Sequence, residues 1–188
     1  MKHEEIKISE PILESDFQEA LKLVEDQLFY FSEMMADLKG SSSGELLLAK
    51  LGGEVVGMLH MRRPGKIFKE IEDKYFDPKN LSEKDETGYI SVVAVAKECQ
   101  GQGVGKRLVL KALELQKEWG AKKMIVHASK SSPDNSSEKL FSSLGFVAGK
   151  LHKAPWAEYS MECGPEKFQC NFCGNPCKCD ELEMVKYL

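Results

Sequence analysis

The sequence predicts a mixed α/β domain that carries a short cysteine-rich extension at its C-terminal end. Three observations support this. A β-rich run from Tyr89 to Ala96 passes through a glycine turn into an amphipathic helix, the strand–turn–helix unit of layered α/β folds. Glu45 to Lys50 and Glu54 to Met61 flank Gly52-Gly53, which is a hairpin signal. Five of the six cysteines fall between Cys163 and Cys179, past the last predicted strand.

Taken in order, Ile6 to Ser9 reads as a short strand. Ser15 opens a helix, with Gln18 three residues later as in a capping box. Phe17, Ala20, Leu21, Val24, Leu28, Phe31 and Met35 recur at helical spacing, so a helix or helix pair runs on to about Gly40. After the hairpin, Arg62 to Gly88 is polar and broken by Pro64, Gly65 and Pro78, with one helical turn or two around Ile67-Phe68 and Ile71. A segment this long between strands reads as a substrate lid or as a floppy insert.

Val104, Leu108, Ala112, Leu115 and Trp119 line the next helix, which Gly120 stops. Lys123 to Ala128 is a buried strand. Ser136 to Leu144 is a helix entered from Asp134-Asn135, with Asn135 and Glu138 at capping distance. Phe146 and Glu158 to Glu162 read as the last strands. The organisation is a domain over residues 1–162, with an insert at 62–88, followed by a tail over 163–188.

The composition limits the partners. With 42% hydrophobic residues the chain can bury a core, and 30% charged residues keep its surface polar. A net charge of -4 argues against a nucleic-acid binder, which usually shows a basic face. No apolar run approaches the roughly 18 residues of a membrane span. The opening Met1-Lys2-His3-Glu4-Glu5 lacks the apolar stretch of a secretory signal. Clustered cysteines without such a signal point to a reducing compartment, the cytoplasm by default.

The most informative stretch is Val93 to Arg107, a strand that enters Gln100-Gly101-Gln102-Gly103-Val104-Gly105-Lys106 and then a helix. Such a turn offers backbone N–H groups at a positive helix end, which suits a pyrophosphate. A P-loop would need Gly where Gln100 stands and Ser or Thr at Arg107. The dinucleotide fingerprint would need Gly at Lys106 or at Leu108. The pattern Gln/Arg-x-x-Gly-x-Gly/Ala is met by Gln100, Gly103 and Gly105.

With that pattern, and with Asn135 through Leu140-Phe141-Ser142-Ser143-Leu144-Gly145-Phe146 following in order, the chain resembles the GNAT superfamily of acetyl-CoA-dependent N-acetyltransferases. The resemblance covers about residues 6–162. It implies a mixed, mostly antiparallel central sheet flanked by helices and acetyl-CoA as cosubstrate. Val93 and Val95 would pair with the pantetheine arm, and Gln100, Gly101, Gln102, Gly103, Val104, Gly105 and Lys106 would cradle the pyrophosphate. Asn135 and Phe141 would complete the cofactor site. Phe141 stands where the family often has the tyrosine that protonates the departing thiolate, so the expected acid is missing.

Acetyl transfer needs a route for the proton of an alkylammonium acceptor. Strand parity puts Tyr89, Ser91, Val93 and Val95 on one face, so Tyr89 reaches the cleft more readily than Glu86. These two are the catalytic candidates, with His60 and His127 on neighbouring strands as alternatives. In the tail, Cys170-Asn171-Phe172-Cys173-Gly174 has the spacing of a metal knuckle, and Cys177 and Cys179 can close the site. Structural zinc is the first expectation. An iron–sulfur cluster, disulfides or an unliganded thiol tail are the alternatives, and Cys163 is a fifth candidate ligand.

The function expected is acetyl transfer from acetyl-CoA to a primary amine, small molecule or peptide, by direct attack in a ternary complex. The alternative is a non-catalytic acyl-CoA sensor or interaction module. The sequence leaves the oligomeric state open, a homodimer included.

Overall fold

The structure, a computed structural model, describes residues 5–188. The opening Met1 to Glu4, read above for the lack of a signal, lies outside the described residues. The strands are β1 (Lys7–Ser9), β2 (Phe29–Phe31), β3 (Leu46–Leu51), β4 (Glu54–Arg62), β5 (Thr87–Val95), β6 (Lys123–Ser129), β7 (Val147–His152), β8 (Phe168–Cys170) and β9 (Glu181–Tyr187). The helices are α1 (Glu14–Gln27), α2 (Met34–Lys39), α3 (Ile67–Glu70), α4 (Val104–Glu118), α5 (Ser136–Ser143) and α6 (Ala157–Cys163).

Seven strands form the main sheet in the order β1-β3-β4-β5-β6-β9-β7. Among the described residues every neighbouring pair is antiparallel except β5 and β6. The mostly antiparallel mixed sheet flanked by helices is therefore as expected. Helices α1 and α4 pack on its β3–β5 region. Ala20, Val24, Leu48, Met58, Leu108 and Met184 are fully buried between the layers. A large side chain in such a position contributes about 1.5–3 kcal/mol by leaving water.

Local chemistry departs from the sequence reading in four places. Helix α1 starts one residue before Ser15. Its entry is fixed not by a Ser15–Gln18 box but by the Asp16 carboxylate, which accepts from Ile12 N at 2.7 Å and Leu13 N at 3.1 Å. A helix pair ends at Gly40 as expected, but a short strand, β2, separates its two members. Phe29-Tyr30-Phe31 favour strand geometry and pair antiparallel with β8, with Phe29 stacked on Phe168. The Asn135–Glu138 cap does not form. Ser132 Oγ accepts from Ser137 N instead, and Glu138 pairs with Lys130.

The fourth departure is the largest. Glu158 to Glu162 lies in helix α6, not in a strand. In that helix Ser160 is fully buried while Met161 is 65% exposed. The strand that completes the sheet is β9, drawn from the tail, and it lies between β6 and β7. The chain after Cys163 thus contributes a strand to the interior of the main sheet.

The insert is ordered against this sheet by helix α3 and short 3-10 turns over Asp73–Tyr75 and Pro78–Glu86. Phe76 is buried against Tyr89 and Ile125. Lys123, almost fully buried, donates to Asn80 O at 3.1 Å and so ties the insert to β6.

Candidate active site

Strands β5 and β6 pair from Thr87–Lys123 to Ile90–Val126 and then part, although β5 runs on to Val95 and β6 to Ser129. Their divergence opens a wedge in the sheet. On the β4 side of β5, Ser91 is an extra residue, since Ile90 faces Met61 and Val92 faces the very next position, His60. This bulge breaks the simple alternation expected for Tyr89, Ser91, Val93 and Val95. Ala96 N donates to Val56 O, which sets the ladder so that Ala94 and Val92 bond to β4. The alternate backbone groups of Val93 and Val95 then point into the wedge.

Below the wedge the chain turns through Gly101 and Gly103, at φ +73° and +80°, into the N-terminus of α4. Gly103 sits at the helix boundary in the left-handed region that favours glycine. The amides from Gly101 to Lys106 donate to no carbonyl or side chain among the described residues, and Arg107 N is the first taken up, by Gly103 O. A β-carbon placed on Gly101 or Gly103 would meet no protein atom within 4 Å, so the loop's outer face is open. Free amides, an open face and a helix N-terminus fit a pyrophosphate.

A cavity of about 570 Å³ extends from the wedge toward the tail. Ser91, Val93, Ser137 and Phe141 line its wedge end. Ile67, Ile71 and Tyr75 from the insert form one wall, with Tyr75 stacked on Trp156 at 4.9 Å. Tyr159, Phe168, Cys170, Cys177 and Cys179 form the far wall.

Tyr89 lies at the floor of this cavity and is 5% exposed. Its hydroxyl is 2.9 Å from His127 Nδ1, and His127 Nε2 is 3.4 Å from Glu183 Oε2. Glu183 also accepts from Asp77 N at 2.7 Å and Asn80 Nδ2 at 2.5 Å, and meets His152 Nε2 at 2.8 Å. Burial alone would raise the Glu183 carboxyl. The hydrogen bonds from His127, Asn80 and His152 outweigh it and hold the group down to about 2. Burial, with the carboxylates of Glu181 and Glu183 nearby, pushes the Tyr89 phenol well above its ordinary range. Tyr89 is therefore a neutral phenol joined through an imidazole to an ionised carboxylate.

The other predicted positions fare differently. Glu86 pairs with Lys122 at 2.5 Å near the surface and does not line the cavity, because the 3-10 turn ends there before β5 begins. His60 is fully buried beneath Arg62 and Ser41, also away from the cavity lining. Burial first, then the Arg62 guanidinium, hold its imidazole down to about 4. The Gln100 side chain does not face the loop opening but donates to Val95 O at 3.0 Å and Gln27 Oε1 at 3.2 Å. Gln102 donates to Glu98 O at 2.8 Å. Lys106 and Asn135 are exposed, and Asn135 stands at the start of α5 in the left-handed region. Phe141 is buried, with its ring edge-to-face against Phe146.

Sequence reasoning missed Glu183 and Glu181, which β9 brings beside His127. The four tail thiols Cys170, Cys173, Cys177 and Cys179 converge, with ligand atoms all within 4.8 Å of one another.

A parallel strand pair that parts above a glycine turn at a helix N-terminus is the arrangement of an anion-binding α/β fold. The chain belongs to the acetyltransferase (GNAT) family, whose model matches residues 11–146. No curated protein matches the sequence. Among solved structures, a Bacillus subtilis acetyltransferase in complex with CoA superposes with TM-score 0.64 at 20% identity, over 98% of this chain and 99% of that one. A GNAT family acetyltransferase from Elizabethkingia anophelis with acetyl-CoA bound gives TM-score 0.59 at 21% identity, over 100% of both. The NatC complex bound to Gag peptide and CoA gives 0.68 at 15%, over 98% and 99%. At such identities the likeness speaks for the fold. Among the described residues no helix is long and apolar enough to cross a membrane.

Proposed function

We propose that the chain transfers an acetyl group from acetyl-CoA to a primary amine, of a small molecule or a peptide, by direct attack in a ternary complex. The observation that carries this reading is the wedge between β5 and β6, where Gly105 of the glycine turn packs beside Val93 and Val95 and from which the cavity runs to Tyr89. Fold neighbours solved with CoA, with acetyl-CoA, and with a peptide and CoA support the same reading.

In this account the loop amides and the α4 terminus bind the pyrophosphate, and the backbone of Val93 and Val95 pairs with the pantetheine arm. Acetyl-CoA supplies an activated acyl carbon. The acceptor loses its proton to the Tyr89 oxygen while the Tyr89 hydroxyl proton passes to His127 Nδ1, 2.9 Å away. Glu183, held ionised, stabilises the imidazolium that results. The amine lone pair forms the C–N bond, and the Val93 N–H faces the oxygen on which charge develops. The C–S bond then breaks and its electrons leave on sulfur. A thiolate with a pKa of about 8.5 departs without a dedicated acid, which accommodates phenylalanine at position 141.

Initial rates measured while both substrates are varied test the ternary complex. Intersecting double-reciprocal lines are expected. Parallel lines, the sign of an acyl-enzyme on one of the cysteines, would contradict direct attack.

A further inference from the structure

We infer that Cys170, Cys173, Cys177 and Cys179 bind one Zn²⁺ as a tetrathiolate that fixes the tail against the cavity and sets the start of β9. The thiol contacts have the dimensions of such a site. Sγ–Sγ separations are 3.3 Å for Cys173–Cys179, 3.6 Å for Cys170–Cys179 and 3.8 Å for Cys173–Cys177. Four sulfurs at about 2.3 Å from a tetrahedral zinc stand about 3.8 Å apart. The same separations are well beyond the roughly 2.05 Å of a disulfide.

The surrounding chain is arranged to hold these sulfurs. Gly174, at φ +81°, lets the knuckle fold back so that its N donates to Cys170 O at 2.9 Å. Asn175 Nδ2 donates to Ser160 O and Phe168 O, and Cys177 N donates to Ser160 Oγ at 2.8 Å. The short Gly174-Asn175-Pro176 spacer can therefore present both pairs to one point. Lys178 N donates to Cys173 Sγ at 3.1 Å, the backbone N–H to sulfur contact that steadies a metal-bound thiolate. Cys163 is excluded, because its sulfur faces the carbonyls of Ser160 and Gly164 outside the cluster. Soft thiolates in tetrahedral array select zinc among abundant divalent ions. The second donor group, His127, His152 and Glu183, is already engaged with Tyr89, Asp77 and Asn80 and needs no metal.

The position gives the site its consequence. Cys170, Cys177 and Cys179 line the cavity, and Cys179 lies two residues before β9, whose Glu183 orients His127. The metal would thus brace the acceptor side while leaving the glycine loop untouched. That link to the acceptor rests on the acetyl-transfer reading; the metal site itself does not.

Full-length chain purified under anaerobic reducing conditions without added metal should carry about one zinc per chain by elemental analysis. Cys173→Ser should weaken zinc at least about tenfold, whereas Cys99→Ser and Cys163→Ser should retain it. Because a ligand variant can misfold, wild-type protein stripped by a chelator and titrated with Co²⁺ gives a second readout, the visible spectrum of tetrahedral thiolate cobalt. In the stripped protein the β9 amides should exchange at least about tenfold faster while CoA binds with unchanged affinity. Stoichiometric iron, intact disulfides, or neither zinc nor the cobalt spectrum would overturn the site. Loss of zinc from Cys163→Ser but not Cys173→Ser would overturn the ligand set. Unchanged β9 exchange after stripping would overturn the bracing role. These readouts need no turnover, so failure of every amine as acceptor would count against acetyl transfer and leave the metal result standing.

Discussion

At the scale of single residues, the weight falls on a phenol. Tyr89 is legible in the sequence as a cleft-facing strand residue, but its partner could only be named once β6 and β9 were side by side. By sequence alone His60 and His127 are equivalent alternatives on neighbouring strands. The structure separates them, because His60 is sealed beneath Arg62 while His127 touches the Tyr89 hydroxyl. In the proposed relay, replacing Tyr89 with Phe removes the oxygen that passes the proton and little else. We expect kcat to fall on the order of 100-fold at neutral pH, with KM for acetyl-CoA unchanged. Steady-state kinetics across pH checks this, and an unaltered pH–rate profile would remove Tyr89 from the relay. Phe141 gives the complementary prediction. If the thiolate leaves unaided, Phe141→Tyr should change kcat by less than about threefold, because a leaving group of pKa near 8.5 gains little from an acid. A large gain would mean that protonation limits the reaction.

At the scale of elements, the glycine turn was readable because its chemistry is local. Spacing alone separated Gly103 and Gly105 from the rival phosphate motifs, and the φ of +80° at Gly103 shows why a β-carbon is avoided there. Gly103→Val should strain the turn and fill the open face. Calorimetric titration should show CoA affinity falling by about tenfold or more, following the 1–2 kcal/mol cost of that conformation for an L-residue. Unchanged affinity would place the pyrophosphate elsewhere.

Strand β9 was not readable, for a physical reason. Glu181, Leu182, Glu183, Met184 and Val185 alternate as a strand should, yet the carboxylates on one face look like a solvated surface. Only pairing with His127, His152 and Asn80 makes a fully buried Glu183 tolerable, and those partners are distant in sequence. Helix α6 misled in the opposite sense, since its polar Ser160 is buried to cap the thiol loop while an apolar Met161 faces out. The knuckle spacing of Cys170 and Cys173 was local and therefore visible, but the wall that Cys170, Cys177 and Cys179 form beside the cavity was not.

At the scale of the whole molecule, the buried ionisable groups make acid a selective denaturant. Glu183 is held down to about 2, so its contribution is complete above its ordinary carboxylate range and lost as pH falls toward 2. His60 is held down to about 4, so the fold keeps it neutral while the unfolded chain binds a proton below about pH 6.5. Both act in the same direction, and stability should decline as pH drops from about 6.5 toward 2. Urea midpoints measured across that range should fall in wild type. Glu183→Gln should remove the lower part of the decline and cost on the order of 2 kcal/mol at neutral pH. A flat profile in wild type would contradict the buried network.

The proposed cofactor wedge and proton relay meet across one cavity, and the most direct test is turnover. CoA release from acetyl-CoA should be followed across a panel of primary amines and peptide N-termini, with mass detection of the acetylated product. Acetyl transfer requires amine-dependent CoA release matched by acetylated amine, and loss of that signal in Tyr89→Phe at undiminished CoA affinity. Tight CoA binding with no acetylated product from any amine would contradict it and leave the fold serving as a sensor of acyl-CoA.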